Sequence, residues 1–505
     1  SVIEYRYKIE SSYKFNLRDW EFQRKIPTLY SKFIVGMNPF YNYQWLLQGA
    51  KKFDHYNTYV EKGIEKQFGR VSYNDKIFEF LMEDVPAFTD EKYLTSINDY
   101  IIKLDFQLAK INYPSGQTKE IVSTWPEMID DFNDQKDFGK YIKRSERLAN
   151  RVLNLDELEQ IPPEERFDQI VTLVKENYKW NGHVDKYATK SHRDFYRDKH
   201  GNVAEINLFL IGLLRRAELE AFPVLLSTRN HGKIKVDYPY THFFNYVIPA
   251  VKIGGKLILT DGTEDLLPNK MLPLRCINDK GLLVDDDNKE NVKWIKLHNT
   301  SSSLEYTKID IDSVSENFVA SISVSANKYK AFSFRKKYGT DNKKLLNRLE
   351  EQNYMVRGDS LTIKNAKLKE KPYLFSYVAE GEADKIQDKV YISPFLKEVL
   401  EENPLKQKER ILPLDMIHPV MKTFVSRIQI PEGYIVDFIP EKENINNKLF
   451  NMSYKTTIND NELEIEFHYQ FKKAVYPADD YGYLRMCFDK IMEYGNQEIV
   501  LKKKK

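Results

Sequence analysis

The chain has 505 residues, which is more than one hydrophobic core usually supports, so two to four domains are expected. It carries 77 Lys and Arg against 75 Asp and Glu, and this near balance gives no electrostatic reason to expect a nucleic-acid partner. The longest apolar runs, such as residues 208–214, are too short to cross a bilayer, so no transmembrane segment is expected.

Short alternating stretches from Ser1 to about Trp125 predict a β-rich first domain over residues 1–128. The first seven residues already alternate like a strand in the middle of a sheet, with neither a starting Met nor a leader. We interpret the start as that of a mature or cleaved fragment.

A helical pattern follows the polar, acidic segment 130–139 and predicts that helices dominate residues 138–217. Strands are then predicted at 222–228, 243–251 and 256–261. The dipeptide Gly254-Gly255 tolerates positive φ and favours a two-residue hairpin between the last two strands. Helices followed by a sheet predict an α+β domain over residues 129–300.

Alternating strands return past residue 300, with one predicted helix at 341–352 and another at 481–494. We therefore predict a C-terminal β-rich region over residues 301–505, either undivided or split into units at 301–385 and 386–505. The expected fold class is α+β, with the central domain between two β-rich domains.

The central domain contains a helix start followed by two strands, the order in which Cys-His-Asp acyl-transfer enzymes place their catalytic groups. Residues 201–203 (Gly-Asn-Val) open a helix, 244–246 (Phe-Asn-Tyr) lie in a strand, and 261–263 (Asp-Gly-Thr) end the next strand. These stretches resemble the bacterial transglutaminase-like, papain-type family, in the branch flanked by two β-rich domains of unknown function. In that family the three motifs read Gly-Asp/Asn-Cys, Phe-Asn-His and Asp-Pro/Ala-Thr.

Matching the motifs position by position puts Val203 at the Cys, Tyr246 at the His and Asp261 at the Asp. Valine offers no electron pair for attack, and a phenol with a pKa near 10 is a poor base at neutral pH. Acyl transfer by a cysteine at this site is therefore excluded. If Gly254-Gly255 forms the turn, Tyr246 and Asp261 become diagonal neighbours about 7 Å apart at Cα, close enough for their side chains to hydrogen-bond.

Trp180, Asn202 and Asn245 complete the predicted cleft around Val203, Tyr246 and Asp261. Simpler interpretations exist for single residues, because Asn202 and Glu205 have the spacing of a capping box and Asp261 is suited to a strand-end turn. The ordered set of positions is more specific than any one of them.

The remaining histidines, cysteines and acidic residues that could carry chemistry have structural interpretations. His242 lies four residues before Tyr246, about 13 Å away if both are in one strand, and does not replace the missing base. Cys276 and Cys487 are expected to be buried structural residues. The loop 181–200 fits no standard metal motif, so we expect no metal and no cofactor. Its candidate ligands are His183, Asp185, His192, Asp194, Asp198 and His200.

The resemblance extends to both ends of the chain, at residues 1–27 and 392–434, and implies that the first part of the N-terminal domain is missing. Family members are exported envelope proteins of Gram-negative bacteria, which implies a periplasmic or cell-surface location. Our first hypothesis is an inactive binding or scaffold protein for a protein, peptide or glycan. The alternatives are an acyl transferase, peptidase or other hydrolase using unrelated groups, and a purely structural subunit of a surface complex.

Overall fold

The structure is a computed structural model that describes residues 17–63, 65–89, 91–121, 124–297, 303–314, 317–351, 354–396 and 398–504. Over these ranges the chain is mixed α/β, with nine α-helices and many strands. The strand predicted at residues 1–7 lies outside the described residues. Within the described ranges, no helix has both the length and the apolar composition that crossing a membrane requires.

The described N-terminal part contains two small antiparallel sheets and a separate two-stranded pair. Its strands are β1 (Trp20–Glu21), β2 (Thr28–Met37), β3 (Tyr41–Gln48), β4 (His55–Val60), β5 (Lys66–Phe68), β6 (Val71–Tyr73), β7 (Lys76–Val85), β8 (Lys103–Asn112) and β9 (Thr118–Glu120). One sheet has the order β1-β8-β3 with β9 beside β8, the other has the order β2-β7-β4, and the separate pair is β5-β6. Phe80 of one sheet meets Phe106 of the other with ring centroids 6.0 Å apart, so alternating aromatic residues form the core between the sheets.

The central part begins with a helix that the sequence did not predict. Helix α1 spans Trp125–Asp134 and begins at a capping box formed by Thr124 and Glu127. Its buried residues Met128, Ile129 and Phe132 pack into the central core, so the boundary predicted at residue 128 falls inside a helix that belongs to the central part. The run of aspartates near residue 130 hid this helix because the acidic side chains occupy its outer face.

Helix α6 forms the centre of this part, and every residue from Val203 to Leu214 is buried. It packs against α2, α4 and the strands β12 and β13 of a five-stranded antiparallel sheet with the order β14-β13-β12-β15-β16. The elements after α1 are α2 (Gly139–Leu148), α3 (Leu155–Glu159), α4 (Pro163–Asn177), β10 (Lys179–Trp180), α5 (His192–Asp198), β11 (His200–Gly201), α6 (Val203–Arg216), β12 (Glu220–Leu226), β13 (Tyr246–Ile253), β14 (Lys256–Leu259), β15 (Lys280–Leu283) and β16 (Trp294–Lys296).

The hairpin predicted at Gly254-Gly255 is confirmed. Both glycines have positive φ, 56° and 76°, and Ile253 pairs with Lys256 across a two-residue turn. The strand predicted from residue 243 begins instead at Tyr246, because residues 241–243 form a 3-10 turn. His242 therefore lies in a turn, and the premise that it shares a strand with Tyr246 was wrong.

The C-terminal part contains a nine-stranded sheet with the order β19-β21-β18-β17-β25-β29-β28-β27 and β20 beside β21. Its elements are β17 (Ser303–Val314), β18 (Asn317–Ala326), α7 (Lys328–Lys337), α8 (Asn342–Glu350), β19 (Met355–Val356), β20 (Thr362–Lys364), β21 (Tyr373–Glu382), β22 (Asp384–Ile386), β23 (Lys389–Ile392), β24 (Leu414–Asp415), β25 (Val420–Gln429), β26 (Tyr434–Phe438), β27 (Glu443–Asn446), β28 (Phe450–Asn459), β29 (Glu462–Phe471), β30 (Val475–Tyr476), α9 (Tyr481–Gly495) and β31 (Ile499–Lys503).

This sheet contains strands from both sides of residue 385, where the sequence left a division of residues 301–505 open. Strand β17 pairs in parallel with β25, and one hydrophobic core includes residues from both halves. The single helix predicted at 341–352 corresponds to α8, but a second helix, α7, precedes it. Aromatic residues are buried at several positions of α7 between lysines, so its sequence shows no single apolar stripe.

The three parts meet at Asp415. Its carboxylate accepts hydrogen bonds from Thr95 of the N-terminal part (2.8 Å) and Arg229 of the central part (2.9 Å). Nearby, the nearly buried Arg410 forms an ion pair with Glu91 at 2.9 Å. Buried polar contacts thus join Asp415 and Arg410 of the C-terminal part to residues of the other two parts.

Candidate functional site

The site begins at the N-terminus of α6, where Asn202 and Glu205 form a capping box. The Asn202 side chain accepts from the Glu205 amide at 2.9 Å, and the Glu205 carboxylate accepts from the Asn202 amide at 2.7 Å. The same carboxylate accepts from the backbone amides of Thr189 and Lys190. A Cβ at Gly201 would lie 2.3 Å from a Glu205 oxygen, which explains the glycine. This network orders the helix start and loop 181–200 together.

The three matched positions converge as the motif order predicted. Val203 and Tyr246 pack in one hydrophobic cluster, and the Tyr246 hydroxyl donates to Asp261 Oδ2 at 2.9 Å. Asp261 also accepts from the side-chain amide of Asn207 at 3.0 Å and from the backbone amide of Thr263 at 2.8 Å. Asn207 lies one helical turn after Val203, so α6 itself positions the carboxylate.

Arg275 completes the site and was missed by sequence reasoning. Its guanidinium donates to the Tyr246 hydroxyl oxygen from Nη2 (3.1 Å) and Nε (3.3 Å), and it forms an ion pair with Glu264. The Trp180 ring covers the guanidinium at 4.2 Å. The Tyr246 hydroxyl is thus held between a carboxylate and a cation. Arg275 lies in a 3-10 turn at residues 274–276, and the sequence gives no signal that this turn returns to the site.

Tyr246 and Cys276 are held in their protonated forms. Burial, and next the charge of Asp261, raise the pKa of Tyr246 well above its ordinary value. The same two causes raise the pKa of Cys276, whose side chain is completely buried in the same cluster. Cys276 therefore lies closer to the site than its place in the sequence indicates. As a buried, protonated thiol it lacks the thiolate that attack requires.

The six predicted cleft residues differ in exposure. Asn202 is 2% exposed, and Val203, Tyr246 and Asp261 have no exposed surface. Trp180 and Asn245 are half-buried, and Asn245 exchanges two hydrogen bonds with Thr228, at 2.8 and 2.9 Å. Ligand binding by these residues stays a prediction, and in this conformation only Trp180 and Asn245 offer surface.

The His-rich loop borders the site. The carbonyl of His183 accepts from the Val203 amide at 3.3 Å and from the Trp180 indole at 2.9 Å. Two acidic residues of the loop form exposed ion pairs, Lys190 with Asp198 and Arg197 with Asp194. Among the described residues, no three His, Cys, Asp or Glu side chains cluster as metal ligands would. The absence of a metal from the loop remains a prediction.

Comparisons with known proteins agree with the fold. Residues 388–501 match the model of a domain of unknown function with a solved structure, DUF3858. A crystal structure titled "putative protease", from Parabacteroides distasonis ATCC 8503, superimposes with a TM-score of 0.55 at 10% identity, covering 96% of this chain and 74% of that one. A "putative cysteine protease" from Cytophaga hutchinsonii gives a TM-score of 0.20 at 13% identity, covering 48% of this chain and 74% of that one.

A search of curated proteins finds no match. The Parabacteroides structure covers nearly the whole chain, but at 10% identity it is informative about the fold alone. The superposition shows that the two chains share a fold.

Proposed function

We propose that the chain is a catalytically inactive transglutaminase-like protein that acts as a binding or scaffold component. One observation carries the proposal: the nucleophile position is a buried valine, Val203, and the base position is Tyr246, whose hydroxyl is bound by Asp261 and Arg275. The former catalytic centre then serves as part of the domain core.

The chemistry of acyl transfer supports this proposal. A thiol enzyme needs a nucleophile, a base and an amide that stabilises the oxyanion, often at the start of the nucleophile's helix. Val203 supplies no nucleophile and the protonated phenol of Tyr246 is no base. The Val203 amide already donates to the His183 carbonyl at 3.3 Å. All three requirements are unmet at this site.

A serine–histidine pair supports the rival hypothesis of an enzyme that uses other groups. Ser227 Oγ and His231 Nδ1 are 2.9 Å apart at the end of β12, near Asn245. Ser227 is 2% exposed, which limits access of a substrate to the hydroxyl. The pair is therefore the second candidate, and the activity test includes it.

The activity test uses the full chain with protein and peptide substrates, measuring peptidase, transglutaminase and deamidase turnover with and without divalent metal ions. We expect no turnover in either condition. Turnover lost in Asp261→Ala would refute inactivity at the matched site, and turnover lost in Ser227→Ala would establish the serine–histidine alternative.

A second test restores the missing groups. In Val203→Cys with Tyr246→His, the helix N-terminus and the imidazole should lower the pKa of the new thiol below about 8.5. Iodoacetamide alkylation as a function of pH reports this pKa. Val203→Cys alone is the matched control, and the wild type gives the background from Cys276 and Cys487, which are both buried. Equal thiol pKa values in the single and double variants would count against the matching of positions.

The site of action is part of the proposal. The resemblance to exported envelope proteins supports a periplasmic or cell-surface location, with a protein, peptide or glycan as partner. Because four of the six cleft residues are at most 2% exposed, a partner surface outside the former cleft fits the structure better than a ligand within it.

A further inference from the structure

An opening in the central domain lies where the two edge strands of its sheet approach each other. The sheet order makes β14 one edge and β16 the other. A cavity of about 370 Å³ is lined by residues 257–259 of β14 and by Lys296 and Leu297 at the end of β16. Tyr329 of α7 also lines it, so the opening lies between the central sheet and the C-terminal part.

The hydrogen-bond register shows which backbone groups of β14 face this opening. Thr260 donates to the Pro249 carbonyl at 3.1 Å, and hydrogen-bonded pairs alternate along an antiparallel ladder. The bonded pairs across β13 and β14 therefore include Ile258 and Lys256. The N–H and C=O groups of Leu257 and Leu259 point away from β13, and no hydrogen bond to them occurs among the described residues.

The other edge presents its backbone in the same way. Leu297 donates to the Asp279 carbonyl at 3.2 Å, and Leu283 donates to the Lys293 carbonyl at 3.0 Å. Alternation from these bonds places the backbone groups of Lys296 on the side facing away from β15. The opening is therefore bordered by outward backbone groups on two strands.

The lining combines apolar walls with lysines. Leu257, Leu259, Met271 and Ile277 supply apolar surface, and Leu257 is 36% exposed. Lys270 and Lys296 also line the opening. The exposed Lys296 has no carboxylate within 4 Å in the described ranges, and Lys270 is 3.8 Å from Asp168. The chemistry favours an apolar side chain in the cavity and a carboxylate beside it.

We propose that this opening binds an extended peptide that pairs with β14 as an added strand, inserts one apolar side chain and places a carboxylate at Lys270 and Lys296. Strand addition takes its affinity from backbone hydrogen bonds at an unpaired edge and its selectivity from pockets for alternate side chains. Both features are present, and folded proteins usually cover or charge such edges. This inference rests on the proposed binding function and assigns it a surface and a partner class.

The test is selection of random eight-residue peptides displayed on phage against the full wild-type chain, followed by affinity measurement of the enriched peptides by fluorescence anisotropy. Leu257→Pro removes an outward N–H that the β13 ladder does not use, so it should weaken binding about tenfold or more with the hairpin intact. Leu257→Val keeps the N–H and an apolar side chain, so it should weaken binding less than Leu257→Pro does.

The charge requirement has its own control. Lys296→Glu should weaken binding of enriched acidic peptides about tenfold, whereas Lys52→Glu, an exposed lysine of the N-terminal part, should not. Amide hydrogen exchange on the wild type supplies a readout that needs no variant. Peptide binding should slow exchange of the Leu257 and Leu259 amides, which point outward, more than that of Ile258.

Three results would overturn the proposal. The first is that no peptide is enriched. The second is that enriched peptides bind Leu257→Pro as tightly as the wild type and do not slow amide exchange at Leu257, and the third is that the chain forms a dimer that Leu257→Pro dissociates. The outcome is separable from that of the proposed function. An inactive protein that binds no peptide at β14 defeats this inference alone, whereas turnover together with peptide binding at β14 defeats the inactivity alone.

Discussion

Replacing Tyr246 with Phe tests whether the hydrogen bonds of Tyr246 with Asp261 and Arg275 stabilise the domain. The substitution keeps the ring and removes one hydrogen bond donated to Asp261 and the bonds accepted from Arg275. Hydrogen bonds to charged groups contribute about 1.5–3 kcal/mol each. Asp261 keeps Asn207 and Thr263, so the lower end of the range applies. With the two Arg275 contacts to the one oxygen counted as a single bond, we expect a loss of about 3 kcal/mol in unfolding free energy.

The assay is urea denaturation followed by tryptophan fluorescence, with Tyr141→Phe in parallel. Tyr141 is 2% exposed in the same domain, and its hydroxyl has no hydrogen-bond partner among the described residues. Its removal should therefore be neutral or slightly stabilising. If the two variants lie within about 0.5 kcal/mol of each other, the Tyr246 hydroxyl contributes nothing and the argument for a structural role fails.

Two further substitutions test other buried groups. Glu205→Gln puts an amide where a carboxylate accepts from the backbone amides of Asn202, Thr189 and Lys190, and should lower the unfolding free energy, measured by urea denaturation, by about 2–4 kcal/mol. The control Glu127→Gln, in the exposed capping box of α1, should lower it by less than about 1 kcal/mol. Equal losses in the two variants would contradict this prediction. Burial lowers the pKa of Lys175 to about 8 from 10.5, so the unfolded state binds more protons between these values. The unfolding free energy of the wild type should therefore rise by up to about 3 kcal/mol relative to that of Lys175→Met as the pH rises across that window. Lys179→Met, which removes an exposed lysine, is the control. A stability difference between wild type and Lys175→Met that does not change with pH would contradict the lowered pKa.

The hairpin and the Tyr246–Asp261 contact could be predicted because both depend on local geometry. Two glycines fix the turn, the turn fixes the register, and the period of two places both side chains on one face. The capping box of Asn202 and Glu205 was likewise open to prediction from a three-residue spacing. Arg275 has no such signal, since the 3-10 turn that carries it is positioned by tertiary packing.

Other features of the fold could not be predicted because they also depend on contacts between distant parts of the chain. Strand β17 pairs in parallel with β25, which lies far along the chain, and no local pattern indicates that residues 301–385 and 386–505 share a sheet. Helix α7 buries residues on several sides against the C-terminal core, so its apolar positions lack a helical stripe. Acidic residues on the outer face of α1 made the segment from residue 130 polar, so its sequence did not predict a helix. In each case long-range contacts outweighed the local pattern.

The hydrogen-bond partners of the buried Asp261 give it a structural role that does not depend on catalysis. A fully buried carboxylate is tolerated only when charge and hydrogen bonds compensate its lost hydration. In a thiol enzyme the imidazolium supplies that compensation. Here the Tyr246 hydroxyl donates to Asp261, and Arg275 donates to the Tyr246 oxygen while pairing with Glu264. The Tyr246 hydroxyl thus connects the Arg275 guanidinium to the Asp261 carboxylate through two hydrogen bonds. Tyr246, Asp261 and Arg275 therefore form one interdependent unit, in which loss of any member removes a hydrogen bond from another buried polar group.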